Sequence, residues 1–458
     1  MNFTSTAAGP LPDGGALRLF RPLWWRTYRY LQLDVETGGE PLVLEDLRGL
    51  FTAYPFQLQA TFESDDPSLK QIWDIGWHTA RLCAHETYMD CPYYEQLQYV
   101  GDTRLQSLIS LYLTGDARLV KNAIQQLNDS RIPDGITQSR YPSELPQFIP
   151  PFSLLWIGMV HDLWWYRGEP EFVKQQLPGI RTVLGWFENR LSSSGLLGKL
   201  EWWNFVDWTG PFEDGVPPQE PDGQSAILSL QFAGALRQAA EIEMALGNPE
   251  NSRHWQILAS RVTQSIRDHC WDPARGLLSD TPARKTFSQQ GNALGVLEDA
   301  IPASRQVPAL QKILKEPQIT QCSFYFRFYL FKAMKKGGMA DQYLEQLKPW
   351  REMVALGLTT WAENPEPTRS DCHAWSSHPN FDLLATVAGI ESDAPGFQRV
   401  LIQPHPGHLK EIRASFPHPQ GELKVEYKAG GKEWLVKVLL PENLPGRFLW
   451  KGNRAKAG

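Results

Sequence analysis

Twelve blocks of apolar residues at helical spacing fill the middle of this chain, the first near 66–86 and the last near 376–388. Side chains three and four residues apart share one face of a helix, so each block predicts a helix with a buried stripe. Stop signals separate the blocks: Gly115-Asp116, Gly168-Glu169-Pro170, Gly247-Asn248-Pro249 and Gly337-Gly338. Glycine closes a helix in left-handed backbone, and proline cannot continue one. Helices in consecutive hairpins suit a mainly α fold, an (α/α)6 toroid whose inner ring presents its loops to one central cleft. A two-layer helical solenoid competes with it, but the sequence lacks the fixed-period self-similarity of solenoids. A long loop-rich interval at 194–222 interrupts the series.

The flanks read differently. Residues 24–35 and 41–56, separated by Gly38-Gly39, are aromatic and β-branched with partial alternation, which predicts strands. These are too few to close a sandwich or barrel, so 1–60 is expected to be the remnant of a larger β-domain. After the helical region, 61–393, alternation returns at 399–403, 422–427 and 433–438, with Gly430-Gly431 as a hairpin turn. This predicts a small C-terminal β-domain at 394–458, whose stop after Lys451-Gly452 hints at missing strands.

Composition narrows the function. With 42% hydrophobic and 21% charged residues among 458, the chain can build a core of normal size. A net charge of −6 gives no basic field for nucleic acid or an anionic membrane. No apolar run is long enough to span a bilayer, and Met1-Asn2-Phe3-Thr4-Ser5 does not begin a signal peptide. Cys83, Cys91, Cys270, Cys322 and Cys372 are odd in number and without CxxC spacing, which predicts free thiols and a cytoplasmic protein. A homo-oligomer is compatible with all of this.

Several catalytic signatures are absent: GxxxxGK[ST], a strand-linked GxGxxG, GxSxG and HExxH. His85-Glu86 and His161-Asp162 are adjacent pairs and make poor metal ligand sets, so neither metal nor cofactor is expected. Chemistry concentrates in Asp90-Cys91-Pro92-Tyr93-Tyr94-Glu95-Gln96-Leu97-Gln98-Tyr99-Val100-Gly101-Asp102. Glu95, Tyr99 and Asp102 are expected on one helix face, at i, i+4 and i+7. Helix-dipole and ion-pair roles compete here, with Glu95 opening a helix and Asp102 pairing with Arg104. Acids and an aromatic aimed together are nevertheless costly to bury and make sense around a polar ligand.

Two further clusters lie downstream. Thr360-Trp361-Ala362-Glu363-Asn364-Pro365-Glu366-Pro367 and Arg369-Ser370-Asp371-Cys372-His373-Ala374-Trp375 again mix acids, Trp and His in a Pro-rich loop. Trp202-Trp203-Asn204-Phe205-Val206-Asp207-Trp208 offers ring faces beside a carboxylate, although packing between helices competes with that use. Glycosidic hydrolysis needs one protonated carboxyl at the leaving oxygen and one ionised carboxylate acting on water or the sugar. Glu95 is assigned as the donor, its pKa expected to be raised by apolar surroundings and by Asp90 and Asp102. Glu363 is assigned as the base, with Glu366 in reserve.

The strings Asp90-Cys91-Pro92-x-x-Glu95…Gly101-Asp102, Thr360-Trp361-Ala362-Glu363 and Ser370-x-x-His373 resemble the bacterial α-L-rhamnosidases of glycoside hydrolase family 78, over nearly the whole chain. The resemblance implies an (α/α)6 catalytic barrel between β-domains and hydrolysis of terminal α-L-rhamnosides with inversion. It implies Glu95 as general acid, Glu363 as general base, and Asp90 and Asp102 as grips on the rhamnose hydroxyls. Tyr99 stands where the family usually has Trp. His373 matches a pocket histidine, Asp207-Trp208 resembles an Asp-Trp loop, and Trp361 joins them as a substrate contact. The chain departs from the pattern at Gln96, where many members have Arg directly after the acid, and at Trp-Ala-Glu, where Trp-Glu is common. Members are usually longer, so a fragment or a shortened form is expected. Two other functions stay open: a barrel glycosidase for a different terminal sugar, and a non-catalytic carbohydrate-binding protein.

Overall fold

The computed structural model of the chain describes Leu19, Arg21, 24–431 and 433–450. The signal-peptide question at Met1 to Ser5 and the last strands sought near Lys451 fall outside the described residues. The chain forms two units, Met1–Thr52 and Ala53–Gly458. Among the described residues of the first unit there is no helix and no strand. The strands expected at 24–35 and 41–56 therefore do not form. Alternating residues gain from a strand only when a neighbour supplies the ladder and a core covers one face. Here Tyr30, Val43 and Leu50 are 88%, 76% and 70% exposed.

The second unit carries the helices. In chain order they are α1 (Pro67–Leu82), α2 (Val100–Thr114), α3 (Arg118–Asp129), α4 (Pro150–Arg167), α5 (Pro170–Glu188) and α6 (Ala226–Ala245). Then follow α7 (Pro249–Cys270), α8 (Gln289–Leu297), α9 (Ala303–Lys315), α10 (Phe324–Lys336), α11 (Lys348–Ala355) and α12 (Pro379–Asp382). The even-numbered helices make the inner ring: α2 packs on α4, α4 on α6, α6 on α8 and α8 on α10. The turn Ala374–Ser377 and α12 close the ring back onto α2. Odd-numbered helices lie outside, α5 against α4, α7 against α6 and α9 against α8.

Sequence explains which ring each helix joins. All of α2 is buried, from Val100 to Thr114, because protein surrounds it on every side. In α3 only Leu119, Val120, Ala123, Ile124 and Leu127 are buried, a single stripe against the ring. The inner ring holds a buried ion pair. Arg104 of α2 and Asp162 of α4, 6% and 5% exposed, meet at 3.0 Å. The block expected at 339–352 breaks into a 3-10 segment, Ala340–Leu347, followed by α11 with proline in its first turn. The last block ends in a π turn, Leu383–Val387.

The β-structure is small. Strands β1 (Thr61–Ser64), β6 (Glu411–His418), β7 (Gly421–Gly430) and β8 (Glu433–Leu439) form one sheet in the order β1-β6-β7-β8. The short β2 (Trp271–Asp272) and β3 (Leu277–Leu278) pair with each other, and β4 (Ile390–Ser392), β5 (Val400–Ile402) and β9 (Gly446–Phe448) make a third sheet. β1 precedes the first helix yet pairs with the C-terminal β6, Thr61 opposite Ser415. The strand at the start of this unit thus completes the C-terminal sheet. Tyr112 of α2 stands at the joint, edge-on to Phe381 and Phe416 at 4.5 and 5.0 Å. Gly389 turns the chain between the two parts with φ 75°, and a Cβ there would lie 2.2 Å from the Gln403 carbonyl carbon. Left-handed backbone alone costs a side chain about 1–2 kcal/mol. Gly389→Ala is expected to lower the unfolding free energy by more than that, read from urea titration.

Candidate active site

The loops that lead into the N-termini of the inner helices enclose a cleft of about 370 Å3. Helix N-termini carry partial positive charge, which suits a site built from carboxylates. The acid loop gets its shape before α2 begins. After the turn at Pro92, Gln96 adopts φ 58° and its Nε2 donates to the Pro92 carbonyl. Asp90 Oδ1 accepts from the Leu97 N–H at 3.0 Å. Tyr99 caps α2, and the Val100 N–H donates to the Ser139 carbonyl at 2.9 Å. Glu95 therefore stands in a loop, and the helical i, i+4, i+7 face expected for Glu95, Tyr99 and Asp102 does not exist. The three still reach the same cleft, because the turn folds Glu95 back over the start of the helix.

Glu363 comes from the loop before α12, the neighbour of α2 in the ring. Its N–H donates to the Ser370 carbonyl at 2.8 Å, and its carbonyl accepts from Trp375 Nε1 at 2.9 Å. The base loop is thus pinned at both ends, and the Glu363 side chain is almost wholly buried. Arg369, on the same loop, links it to the acid loop. Its Nη1 donates to Glu95 Oε1, while its Nη2 lies 3.6 Å from Glu363 Oε1. One guanidinium touches both proposed catalytic carboxylates. Arg140 approaches from behind, 3.7 Å from Glu95 Oε2, and donates to the Tyr99 hydroxyl at 2.7 Å.

Electrostatics depart from expectation at Glu95. Burial pushes its carboxyl up, but hydrogen bonds from Tyr99 and Arg369 and the charges of Arg369 and Arg140 outweigh that and hold it below the usual glutamate value. The raised acids are its neighbours. Burial, aided by Asp102 and Glu95 and opposed by His373, lifts Asp90 to about 6. Burial lifts Asp102 well above the carboxylate range. Burial pushes the His373 imidazole down from its ordinary value. His373 Nε2 lies 3.0 Å from Asp102 Oδ1. Asp90 Oδ2, His373 Nδ1 and Asn364 Oδ1 line the cleft without a hydrogen-bond partner in the protein, as groups awaiting hydroxyls would be.

Aromatic rings complete the walls. Trp208 lies 5.9 Å from Trp203 and 4.9 Å from Phe205, and all three face the cleft with Phe152 and Trp375. Asp207 and Trp361, expected as substrate contacts, are not among the residues lining it. Asp207 is fully buried and accepts from Ser323 Oγ, the Ser323 N–H and Gln290 Nε2, tying its loop to the starts of α10 and α8. Trp361 is fully buried behind the base loop, its N–H donating to Thr79 Oγ1 of α1 at 3.0 Å. Glu366, the reserve base, is exposed and accepts from the Thr368 N–H.

Asp90, Cys91 and His373 bring ligand atoms within 4.8 Å of one another. Burial and the charge of Asp90 push the Cys91 thiol up to about 12, and a protonated thiol is a poor metal ligand. Arg369, Arg140, Trp203 and Trp375 belong to the site without having been picked from sequence. Arg369 and Trp375 sit inside the quoted base-loop string, but Arg140 has no local signal.

Burial lifts Asp207 to about 6 from an ordinary value of 3.8. Its contribution to stability is complete below the lower figure and lost as pH rises through the upper one. Asp207→Asn turns an amide N–H toward donors and is expected to cost about 1–3 kcal/mol. Thermal melts across this window should show the gap to wild type narrowing as pH rises.

One cleft at the mouth of a closed helical ring thus holds two carboxylates bridged by one guanidinium, with aromatic walls, an arrangement of the six-hairpin glycosidase type. The bacterial alpha-L-rhamnosidase 6 hairpin glycosidase domain matches residues 57–381, and the bacterial alpha-L-rhamnosidase C-terminal domain matches 389–449. The chain belongs to the bacterial α-L-rhamnosidase family. Among solved structures it resembles the GH78 family rhamnosidase of Bacillus sp. GL1, with 24% identity and a TM-score of 0.77 over 88% of this chain and 45% of that one. The Streptomyces avermitilis α-L-rhamnosidase complexed with L-rhamnose matches at 18% identity and a TM-score of 0.73, over 86% of this chain and 39% of that one. The Klebsiella oxytoca rhamnosidase with rhamnose bound matches at 21% identity and a TM-score of 0.62, over 70% of this chain and 64% of that one. At these identities the likeness is one of fold. This chain spans less than half the length of the first two. No curated protein matches the sequence.

Proposed function

We propose that this protein hydrolyses terminal non-reducing α-L-rhamnose residues by an inverting, two-carboxylate mechanism. The observation that carries the proposal is the single guanidinium of Arg369 in contact with both Glu95 and Glu363. It brings two carboxylates from separate loops to one cleft. Glu95 donates the proton to the leaving oxygen, and Glu363 takes one from the attacking water. Inverting pairs stand roughly 6.5–9.5 Å apart, leaving room for that water. Asp90, Asp102 and His373 face the sugar hydroxyls, while Trp203, Trp208 and Trp375 offer apolar faces to its C5 methyl group. Tyr99 holds Glu95 and Arg140 in place. Asp207 and Trp361 support the loops from behind.

We read 61–393 as the catalytic part, 394–458 as an accessory β-part and 1–60 as a segment outside both. Among the described residues no helix is long and apolar enough to cross a membrane. The free cysteines favour the cytoplasm. The test is incubation with an aryl α-L-rhamnoside, followed by proton NMR. The first sugar released is expected to be the β-anomer. Release of the α-anomer would refute the inverting assignment, and sugar binding by calorimetry without turnover would favour a binding protein.

A further inference from the structure

The ring encloses a second cavity, of about 150 Å3, further along the same inner helices than the catalytic cleft. The order of the ring puts Arg104 of α2 with Tyr329 and Lys332 of α10 on one side of it. Leu230 of α6 and Leu294 and Leu297 of α8 come from the other side. The cavity is therefore amphipathic, with cations at one end and branched apolar side chains at the other. It backs onto the cleft through stacked rings. Tyr329 meets Tyr325 at 6.0 Å, and Tyr325 stacks at 4.8 Å on Trp375, which faces the cleft.

Lys332 is the group whose charge the fold leaves unsettled. Its Nζ lies over the Phe328 ring at 5.2 Å. The carboxylates that act on it are Asp162, Glu391 and Asp382. Each is already engaged, with Arg104, Lys335 and His378 at 3.0, 2.7 and 2.8 Å. Burial pushes the Lys332 ammonium down from its ordinary value, with Asp162 opposing and Arg104 adding to the push. Glu298, an acid on the cavity wall, has its Oε2 3.2 Å from Arg237 Nε. Gln231 Oε1, on the same wall, is buried with no hydrogen-bond partner in the protein, which marks the place of a polar occupant. Water could serve Gln231 but would not neutralise a buried ammonium. Glycines keep the space open. A Cβ on Gly158, inside α4, would lie 2.4 Å from the Arg104 guanidinium carbon, and one on Gly234, inside α6, 2.8 Å from Glu298 Oε1. Glycine weakens a helix interior, so both positions favour room for charged groups over helix strength.

We propose that this axial cavity binds a small organic carboxylate, its charge between Lys332 and Arg104 and its short carbon chain against Leu230, Leu294 and Leu297. The anion supplies Lys332 with the counter-charge that Asp162, Glu391 and Asp382 give to other groups. The leucines take the apolar chain, which an inorganic ion would not offer them. This site is separate from the catalytic cleft and holds whatever sugar that cleft takes.

The test is calorimetric titration of the full chain with sodium butyrate and with butyramide, which has the same shape and no charge. Hydrogen bonds to charged groups outweigh neutral ones, so wild type is expected to bind butyrate about tenfold or more tightly than butyramide. Lys332→Met should bring the two ligands within about twofold of each other. Arg369→Met removes a cation of the catalytic cleft and should leave the preference as it is. Leu297→Trp fills the apolar end without touching a charge, and should abolish butyrate binding while melting close to wild type. No binding of butyrate by wild type would overturn the inference, as would equal affinity for the two ligands. So would a preference that survives Lys332→Met. A preference lost with Arg369→Met would put the carboxylate in the catalytic cleft and overturn the inference as well. If Lys332→Met does not fold, Leu297→Trp decides, since a folded variant that still binds butyrate refutes the cavity. These readouts use no rhamnoside, so they stand or fall apart from the rhamnosidase reading.

Discussion

Glu363→Gln is expected to cut kcat/KM on every α-L-rhamnoside by about 10²–10⁴-fold, the usual contribution of a positioned general base. The loss should not depend on the leaving group, because the water needs its base whatever departs. Glu95→Gln should behave differently. A nitrophenolate leaves without help, so an activated aryl rhamnoside should lose little, while a rhamnosyl sugar should lose the full factor. Steady-state kinetics on two leaving groups therefore separates donor from base in one experiment. If both variants show the same dependence on leaving group, the roles assigned to the two carboxylates are wrong. The amide keeps the size of each side chain, so Arg369 loses an ionic partner and not its packing, and thermal melts should confirm that both variants fold.

The second large effect concerns stability. Asp162→Ala leaves Arg104 inside the inner ring without its carboxylate 3.0 Å away. Removing one partner of a buried pair costs about 3–5 kcal/mol, because the remaining charge stays in low dielectric. Urea denaturation should show that drop. Replacing the pair together, Arg104→Met with Asp162→Leu, should recover most of it, since no uncompensated charge is then left. A double variant as unstable as the single one would mean that the pair fixes the packing of α2 on α4 by shape. Tyr329, with the Arg104 guanidinium 5.9 Å from its ring centre, would then be the neighbour to examine.

The helical hairpins were legible because two local signals agreed. Residues such as Leu119, Ala123 and Leu127 mark an outer helix by their spacing, and Gly115 and Gly168 mark the ends. The acid loop was legible by composition, since carboxylates beside tyrosines and a proline are hard to justify as packing. Its geometry was not. Four-residue spacing looks the same in a helix and in a loop that doubles back, and the left-handed Gln96 carries no sequence mark. Arg369 meets Glu95 across 274 residues, a pairing no local pattern can display. Asp207 and Trp361 show the converse, since both are buried and absent from the cleft lining. An acid that ties two helix starts together and a tryptophan that wedges a loop have the same letters as a sugar contact. At the N-terminal end, alternation alone predicted strands at 24–35 and 41–56, but alternation supplies only half of a strand's needs.

The pairing of β1 with β6 sets a timetable for the newborn chain. Thr61 and Ser415, whose hydroxyls meet at 2.9 Å, are 354 residues apart. At about 5–20 residues per second, a ribosome takes on the order of 20–70 s to add the partner after the first strand has appeared. Throughout that interval Phe62, buried in the finished fold, has no sheet to join, although the hairpins between can already be closing. The ring is fastened last by its two ends. A synthesis halted before residue 411 would release helices without a clasp.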